Sequence, residues 1–363
     1  MAGKTIIEIF RSRAKGLGCR LIFPEGSDER IIQAADAARK ERIIKPILVG
    51  KTQEIGDAAK RLGIGLSGFE IIEPSKSRKL EKYAALYSKI SGMPTRTAML
   101  IAQQPLFYSA LALKANDADG MIGGAVYTSA EFETVCMAVI GLRKGITIPS
   151  SFFIMEIPGY AGGENGVLLY ADASVSPNPM PNCLANIAMT TGQTAKNLLG
   201  WKPRIAMLSF STKGSAQHPD VNKVIEATEI AKKMAKGSGI EIDGELQADT
   251  ALVTSTAKKK IKGDIGKVAG KANVLIFPDL DAGNIAYKLT QILAGAKAYG
   301  PILQGFSKPL SDLSRGAKME DIFGAITIIA VMAKNSKKKD KERKEEAISS
   351  LSSSALCKPL PAQ

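Results

Sequence analysis

Short apolar, β-branched runs alternate along this chain with longer stretches in which apolar residues recur every three to four positions. The runs at 21–23, 46–49, 120–122, 152–157, 167–171, 205–210 and 273–277 read as strands. The stretches 28–40, 76–90, 95–114, 129–142, 181–199, 219–236, 282–297 and 318–334 read as helices. Most strands are followed by a turn and then a helix. That rhythm predicts an α/β fold of parallel or mixed sheets flanked by helices, with ligands bound at the carboxyl ends of the strands.

At 363 residues the chain is too long for one core to be expected. The pattern shifts near 145–165, where Lys144-Gly145-Ile146-Thr147-Ile148-Pro149 leads into Phe152-Phe153 and then a Pro- and Gly-rich turn. Two domains are therefore expected: 1–145 completed by 300–335, and 146–299. Residues 336–363, charged and Ser-rich, are expected as a flexible tail.

Composition narrows the chemistry. There are 49 Lys and Arg against 35 Asp and Glu, a formal charge of +14, but one histidine, His218, and four cysteines. A Ser-His-Asp triad, a multi-histidine zinc site or a histidine proton relay would each depend on that single residue. No metal site is expected. Cys19, Cys136, Cys183 and Cys357 show no metal-clip or disulfide spacing, which points to a reducing, cytoplasmic setting. No run is long and apolar enough for a membrane span. The positive charge is dispersed, and only one Trp is present for base stacking, so anionic small molecules rather than nucleic acid or membrane are the expected partners.

Four turns carry residues suited to such ligands. In the first, Gly123-Gly124-Ala125-Val126-Tyr127-Thr128-Ser129, glycines would let backbone N–H groups approach an anion, with Thr128 and Ser129 adding hydroxyls. A structural tight turn fits the same residues. In the second, Ser211, Lys213, Gly214 and Ser215 suit a phosphate, or equally a polar surface turn. The spacing is not that of a nucleotide-triphosphate loop. His218 follows and reads as a helix cap. The third brings Asn284, Tyr287 and Lys288 to the start of a helix, and the fourth sets Ser314 beside Arg315, with Asp321 in the next helix's opening turn. No G-x-G-x-x-G follows the first strand, which argues against a nicotinamide-dependent dehydrogenase.

Taken together the blocks resemble the phosphate acetyl/butyryl transferase family. They are Phe23-Pro24-Glu25-Gly26 with Asp28-Glu29-Arg30, Ala118-Asp119-Gly120-Met121 with Gly124-Ala125-Val126, 206–215, Asp243-Gly244-Glu245-Leu246-Gln247, 270–280, and Pro309 with Asp312-Leu313-Ser314-Arg315-Gly316. They are collinear over roughly 20–333. The resemblance implies two α/β domains about a cleft, as in isocitrate and isopropylmalate dehydrogenases, and a homodimer. It implies reversible acetyl transfer between coenzyme A and inorganic phosphate, with acetyl-CoA, phosphate and acetyl phosphate as substrates and no permanently bound cofactor. Carried over by motif, Ser314 would hydrogen-bond the tetrahedral intermediate, Arg315 would hold phosphate or polarise the carbonyl, and Asp321 would deprotonate the thiol. The chain departs from the family pattern at Tyr127, where relatives often have histidine, and at Ser88, Thr134 and Ile292, where they often have arginine. Those changes leave open a longer acyl group, such as butyryl, or a diverged paralogue of little activity.

Overall fold

The computed structural model describes residues 4–355, with side chains through Lys338. Eleven strands occur in chain order: β1 Cys19–Phe23, β2 Ile44–Val49, β3 Glu70–Ile72, β4 Gly120–Gly123, β5 Ser150–Glu156, β6 Val167–Ala171, β7 Arg204–Leu208, β8 Glu241–Leu246, β9 Val274–Ile276, β10 Lys297–Gln304 and β11 Leu310–Asp312. They form one continuous mixed sheet in the order β3-β2-β1-β4-β11-β10-β5-β6-β9-β7-β8. Each end of the sheet is a parallel wing: β3-β2-β1-β4-β11 on one side, β6-β9-β7-β8 on the other. Between them β10 runs antiparallel to both β11 and β5, and β5 antiparallel to β6. The chain thus re-enters the first wing through β10 and β11, and the strands join the two halves of the α/β fold into a single sheet.

Local chemistry explains most departures from the pattern. The stretch 95–114 is two helices, Thr95–Ala102 and Pro105–Lys114, because Pro105 has no N–H to continue a ladder and instead opens the second helix. The helix Pro181–Thr194 passes into a π turn, Ala195–Leu199, and stops at Gly200 in the left-handed region. His218 caps the helix Pro219–Ala235, its Nδ1 accepting from the Asp220 N–H at 3.2 Å. The last helix runs Met319–Ala355, so the backbone of the expected flexible tail is helical that far, while 356–363 lie outside the described residues. Its apolar segment, including Ile322, Ile326 and Ile329, is fully buried. Among the described residues no helix is long and apolar enough to cross a membrane, and no cluster of His, Cys, Asp or Glu is arranged to hold a metal ion.

Candidate active site

β4 and β11 run parallel and release their chains at one edge of the sheet, whereas the three antiparallel pairings between the wings leave β6 and β9 running the opposite way. The segments leaving β4, β11 and β6, and the helix that follows β9, enclose a cavity of about 200 Å³ lined by Gly124, Tyr127, Ser129, Ser174, Asn284, Tyr287, Lys288, Asp312, Ser314 and Arg315, among others. Beside it a second cavity of about 140 Å³ is lined by Phe153, Gln291, Gly316 and Asp321. Tyr287, Lys288, Pro301 and Ser314 line both. Ser314 and Lys288 thus stand between an anion-friendly chamber and one that contains a carboxylate.

Each wall is held by local structure. Leu313 N–H donates to the Gly123 carbonyl at 2.6 Å, tying the end of β11 to the end of β4. Arg30 then clamps the loop beyond it. Its guanidinium donates to the carbonyls of Arg315 (2.7 Å), Ala317 (3.1 Å) and Ala125 (3.0 Å), and pairs with Asp28, the N-cap of the helix Glu29–Lys40. On the facing wall Gly283 lets the helix Leu280–Leu293 press against the segment after β6: a Cβ there would sit 2.1 Å from the Asp172 carbonyl oxygen. That approach brings Asn284 to the Ala173 carbonyl at 3.1 Å and stacks Tyr287 on Phe153, with ring centroids 4.1 Å apart. Asp321 lies in the first turn of the last helix, where one carboxylate oxygen accepts from Lys318 N–H at 3.0 Å.

Beneath the cavity lie buried carboxyl groups to which sequence reasoning gave no role. Glu25 accepts from the N–H groups of Ala125, Val126 and Tyr127 at 2.7–2.9 Å. Burial pushes its carboxyl up, and the three N–H groups oppose this without cancelling it. Asp312 is 1% exposed, and neither of its oxygens has a hydrogen-bond partner among the described residues. Gly124, at φ 94°, packs so close that a Cβ there would meet Asp312 Oδ1 at 2.2 Å. Burial raises the Asp312 carboxyl to about 6, an effect that the Ser129 hydroxyl beside it opposes. Glu133, one turn beyond Ser129 on the helix Ser129–Val139, also has an orphaned buried oxygen, and burial with Asp312 and Asp172 nearby raises it to about 8.

The site therefore gathers Gly124, Ser129, Asn284, Tyr287, Lys288, Ser314, Arg315 and Asp321 from three of the four turns. Several expectations need correcting. The first turn does not offer its backbone N–H groups to a ligand, because Glu25 already occupies them. Thr128 lines neither cavity: it forms a capping box with Glu131. Ser211, Lys213, Gly214 and Ser215 also lie outside both cavities. Ser211 Oγ and Gly214 N–H donate to Glu245, and Lys213 Nζ pairs with Asp243 at 2.6 Å, so the second turn is filled by the chain's own carboxylates. Ser88 donates to the Met93 carbonyl, Ile292 is 76% exposed, and Thr134 lines a separate, mostly apolar hollow of about 440 Å³ with Leu106, Phe107, Tyr127 and Val135. Arg30 and Glu25 were legible as motif residues, but their partners lie about 95–285 positions away along the chain.

The chain is similar to known proteins over most of its length. Residues 5–330 match the family model described as phosphate acetyl/butaryl transferase. A phosphate acetyltransferase from Thermoanaerobacterium thermosaccharolyticum is 45% identical over 91% of this chain and 99% of its own. One from Acetivibrio thermocellus is 44% identical over 91% of this chain and 98% of its own. Among solved structures, a phosphotransacetylase from Streptococcus pyogenes superposes with a TM-score of 0.84 at 36% identity, covering 92% of this chain and 99% of that one. At 12% identity and a TM-score of 0.51, a 4-hydroxythreonine-4-phosphate dehydrogenase from Klebsiella pneumoniae shares the fold alone.

Proposed function

Because the chain belongs to the phosphate acetyl/butaryl transferase family, we propose that it transfers an acetyl group reversibly between coenzyme A and inorganic phosphate. One observation supports the assignment of roles above all: Ser314 borders both the chamber lined by Lys288, Asn284 and Arg315 and the chamber lined by Asp321. In this reading the phosphoryl end of acetyl phosphate lies against Arg315 and Lys288, whose charges match it, and the thiol of coenzyme A enters beside Asp321. A thiol with a pKa of about 8.5 is mostly protonated at neutral pH, so a carboxylate within reach assists its attack. Sulfur adds to the carbonyl carbon, Ser314 donates to the developing oxyanion, and collapse of the tetrahedral intermediate expels phosphate. Coenzyme A is a substrate in this scheme, and no bound cofactor or metal is called on.

The reading includes a homodimer. Ile285, Leu289, Ile292 and Leu293 form an exposed apolar stripe on one helix, a surface that self-association would cover. Light scattering on the purified protein should return twice the chain mass. A longer acyl group is the second reading, favoured by the apolar hollow behind Tyr127, a residue that also lines the main cavity. Thioester absorbance, followed with coenzyme A and acetyl, propionyl or butyryl phosphate, tests both. Fastest turnover is expected with acetyl phosphate. A larger kcat/KM with butyryl phosphate would favour the second reading, and no thioester from any of the three would defeat both.

A further inference from the structure

Two carboxyl groups of this site live in opposite environments. Asp321 is exposed and partly capped by a backbone N–H, whereas Asp312 is buried with both oxygens unpartnered. A buried carboxylate with no donor is costly, so the group keeps its proton more readily than a solvated acid does. Its neighbours reinforce this. The titratable groups facing Asp312 are Glu25 from the loop after β1, and Glu133 and Cys136 from the helix Ser129–Val139; Asp172, after β6, acts on Glu133 in turn. Lys288 and Arg315 are the cations that share the cavity lining with it. Glu133 carries its own orphaned oxygen, and two such neighbours cannot both ionise cheaply. A buried carboxyl group that holds its proton is placed to give one, and an exposed carboxylate is placed to take one.

We propose that Asp312 is the proton donor of the reaction, acting through the Ser129 hydroxyl on the departing phosphate. The inference rests on the acyl-transfer reading above. In the direction that makes thioester, the S–H proton passes to the Asp321 carboxylate, the S–C bond forms, and the bond between the acyl carbon and the bridging phosphate oxygen breaks. An acyl phosphate dianion expelled without a proton would leave as the phosphate trianion, a poor leaving group. Ser129, which lines the cavity beside Asp312, gives its hydroxyl proton to that oxygen and takes the Asp312 proton in exchange. Phosphate leaves as the monoprotonated dianion. Asp321 then releases its proton to solvent and Asp312 recovers one, so the enzyme ends as it began. Asp312 is thus a positioning residue for the proton, and Ser129 is the group that meets the substrate.

The test uses two substrates. Acetyl phosphate needs a proton on its leaving group, whereas acetyl methyl phosphate expels methyl phosphate, already a stable dianion, and needs none. With acetyl phosphate, the kcat of Asp312→Asn should fall by about 10²-fold, the low end for a lost acid, with KM moving less than about threefold. The fall of wild-type kcat/KM on the alkaline side should disappear in this variant. With acetyl methyl phosphate the variant should stay within about threefold of wild type. Ser129→Ala, a change at an exposed position, should repeat the pattern with a loss of about tenfold or more on acetyl phosphate alone, and it decides the matter if Asp312→Asn does not fold. Equal losses on both substrates, or an unchanged alkaline limb in either variant, would overturn the proton-donor role while leaving the acyl-transfer reading intact. An inactive wild type would overturn both.

Discussion

The turn after β4 and the turn after β7 are built alike. Each follows a buried parallel strand, each combines glycine with hydroxyl residues, and each wraps a glutamate from a neighbouring segment: Glu25 in residues 125–127, Glu245 in residues 211–214. In both, the donors that suggested a phosphate are spent on a carboxylate of the chain itself. What separates the turns is the position of their strands. β4 sits next to β11 near the middle of the sheet, where the Ser314-Arg315 loop emerges, while β7 lies two strands beyond β6, about 10 Å further toward the edge. A donor-rich turn becomes part of an anion site only when another element brings a free cation opposite it. Lys288 and Arg315 do this for the first turn. In the second the nearest cation, Lys213, is already paired with Asp243.

The sharpest way to break this comparison is to remove the hydroxyl that borders both cavities. Ser314→Ala should lower kcat by about 10²–10³-fold, the range for a lost oxyanion donor, with little change in melting temperature, since Ser314 is exposed. A variant of wild-type kcat would remove from catalysis the Ser314-Arg315 loop that faces the first turn, and with it the feature that sets the first turn apart from the second.

Next in size is the cost of emptying each turn. Glu25→Ala strips three backbone N–H groups of their acceptor and should lower stability by about 2–4 kcal/mol, while Glu245→Ala strips one N–H and one hydroxyl, at about 1–3 kcal/mol. Chemical denaturation measures both. The contrast lies in the kinetics of the folded fraction: Glu25→Ala should raise KM for acetyl phosphate by displacing the loop against Ser129, and Glu245→Ala should not. Equal KM changes would refute the assignment of only one turn to the site.

Glu133→Gln probes the acid packed behind the first turn. Burial and two carboxylate neighbours raise Glu133 to about 8, above its ordinary value of about 4.3, so its ionisation opposes folding. The penalty is absent below the ordinary value, builds as pH rises and is complete above about 8. The amide carries no such penalty. Glu133→Gln should therefore match wild type in stability near pH 4 and exceed it at pH 9, by on the order of 5 kcal/mol. A variant less stable than wild type at pH 9 would mean that Glu133 is charged and favourably placed.

The sequence pattern carried the fold class because the parallel strands are short, apolar and each followed by an amphipathic helix. It missed β8, whose run Glu241-Ile242-Asp243-Gly244-Glu245-Leu246 is an edge strand with polar positions, and β11, which is three residues long. It also placed no strand at β10, because Gly300-Pro301 reads as the start of a loop, whereas in the sheet it is an irregularity in the ladder between Tyr299 and Ile302. Ser314, Arg315 and Asp321 were legible as candidates through the family motif that holds them, and Lys288 through its place in the opening of a helix. Asp312 was legible only as a member of the Asp312-Leu313-Ser314-Arg315-Gly316 block, because its burial arises once Gly124 closes over it from a turn nearly two hundred residues away. The filling of Ser211–Ser215 by the chain's own carboxylates was hidden for the converse reason. Its partners Glu245 and Asp243 lie about 30 residues on, and strand order, which a single sequence does not carry, puts the turn one strand in from the sheet's edge.

The smallest effect is also the cleanest control. Lys213 would be the cation of a phosphate site in the second turn, yet its Nζ is held by Asp243 and by the Gly244 carbonyl at 2.7 Å. Burial pushes the Asp243 carboxyl up, but the hydrogen bonds of Lys213 and Lys232 outweigh this and hold it below the ordinary carboxylate range. Lys213→Ala leaves Lys232 in place at 2.9 Å, so Asp243 keeps one partner. The variant should lose no more than about 1 kcal/mol. A group whose pKa is lowered by folding adds stability above its unfolded value and loses it as the solution is acidified, so that loss should be visible at pH 7 and vanish toward pH 3. KM for acetyl phosphate and for phosphate should stay within about twofold of wild type, because Lys213 lines neither cavity. A tenfold rise in KM for phosphate at unchanged melting temperature would mean that Lys213 leaves Asp243 to meet substrate, and the second turn would then have to move toward the first during turnover.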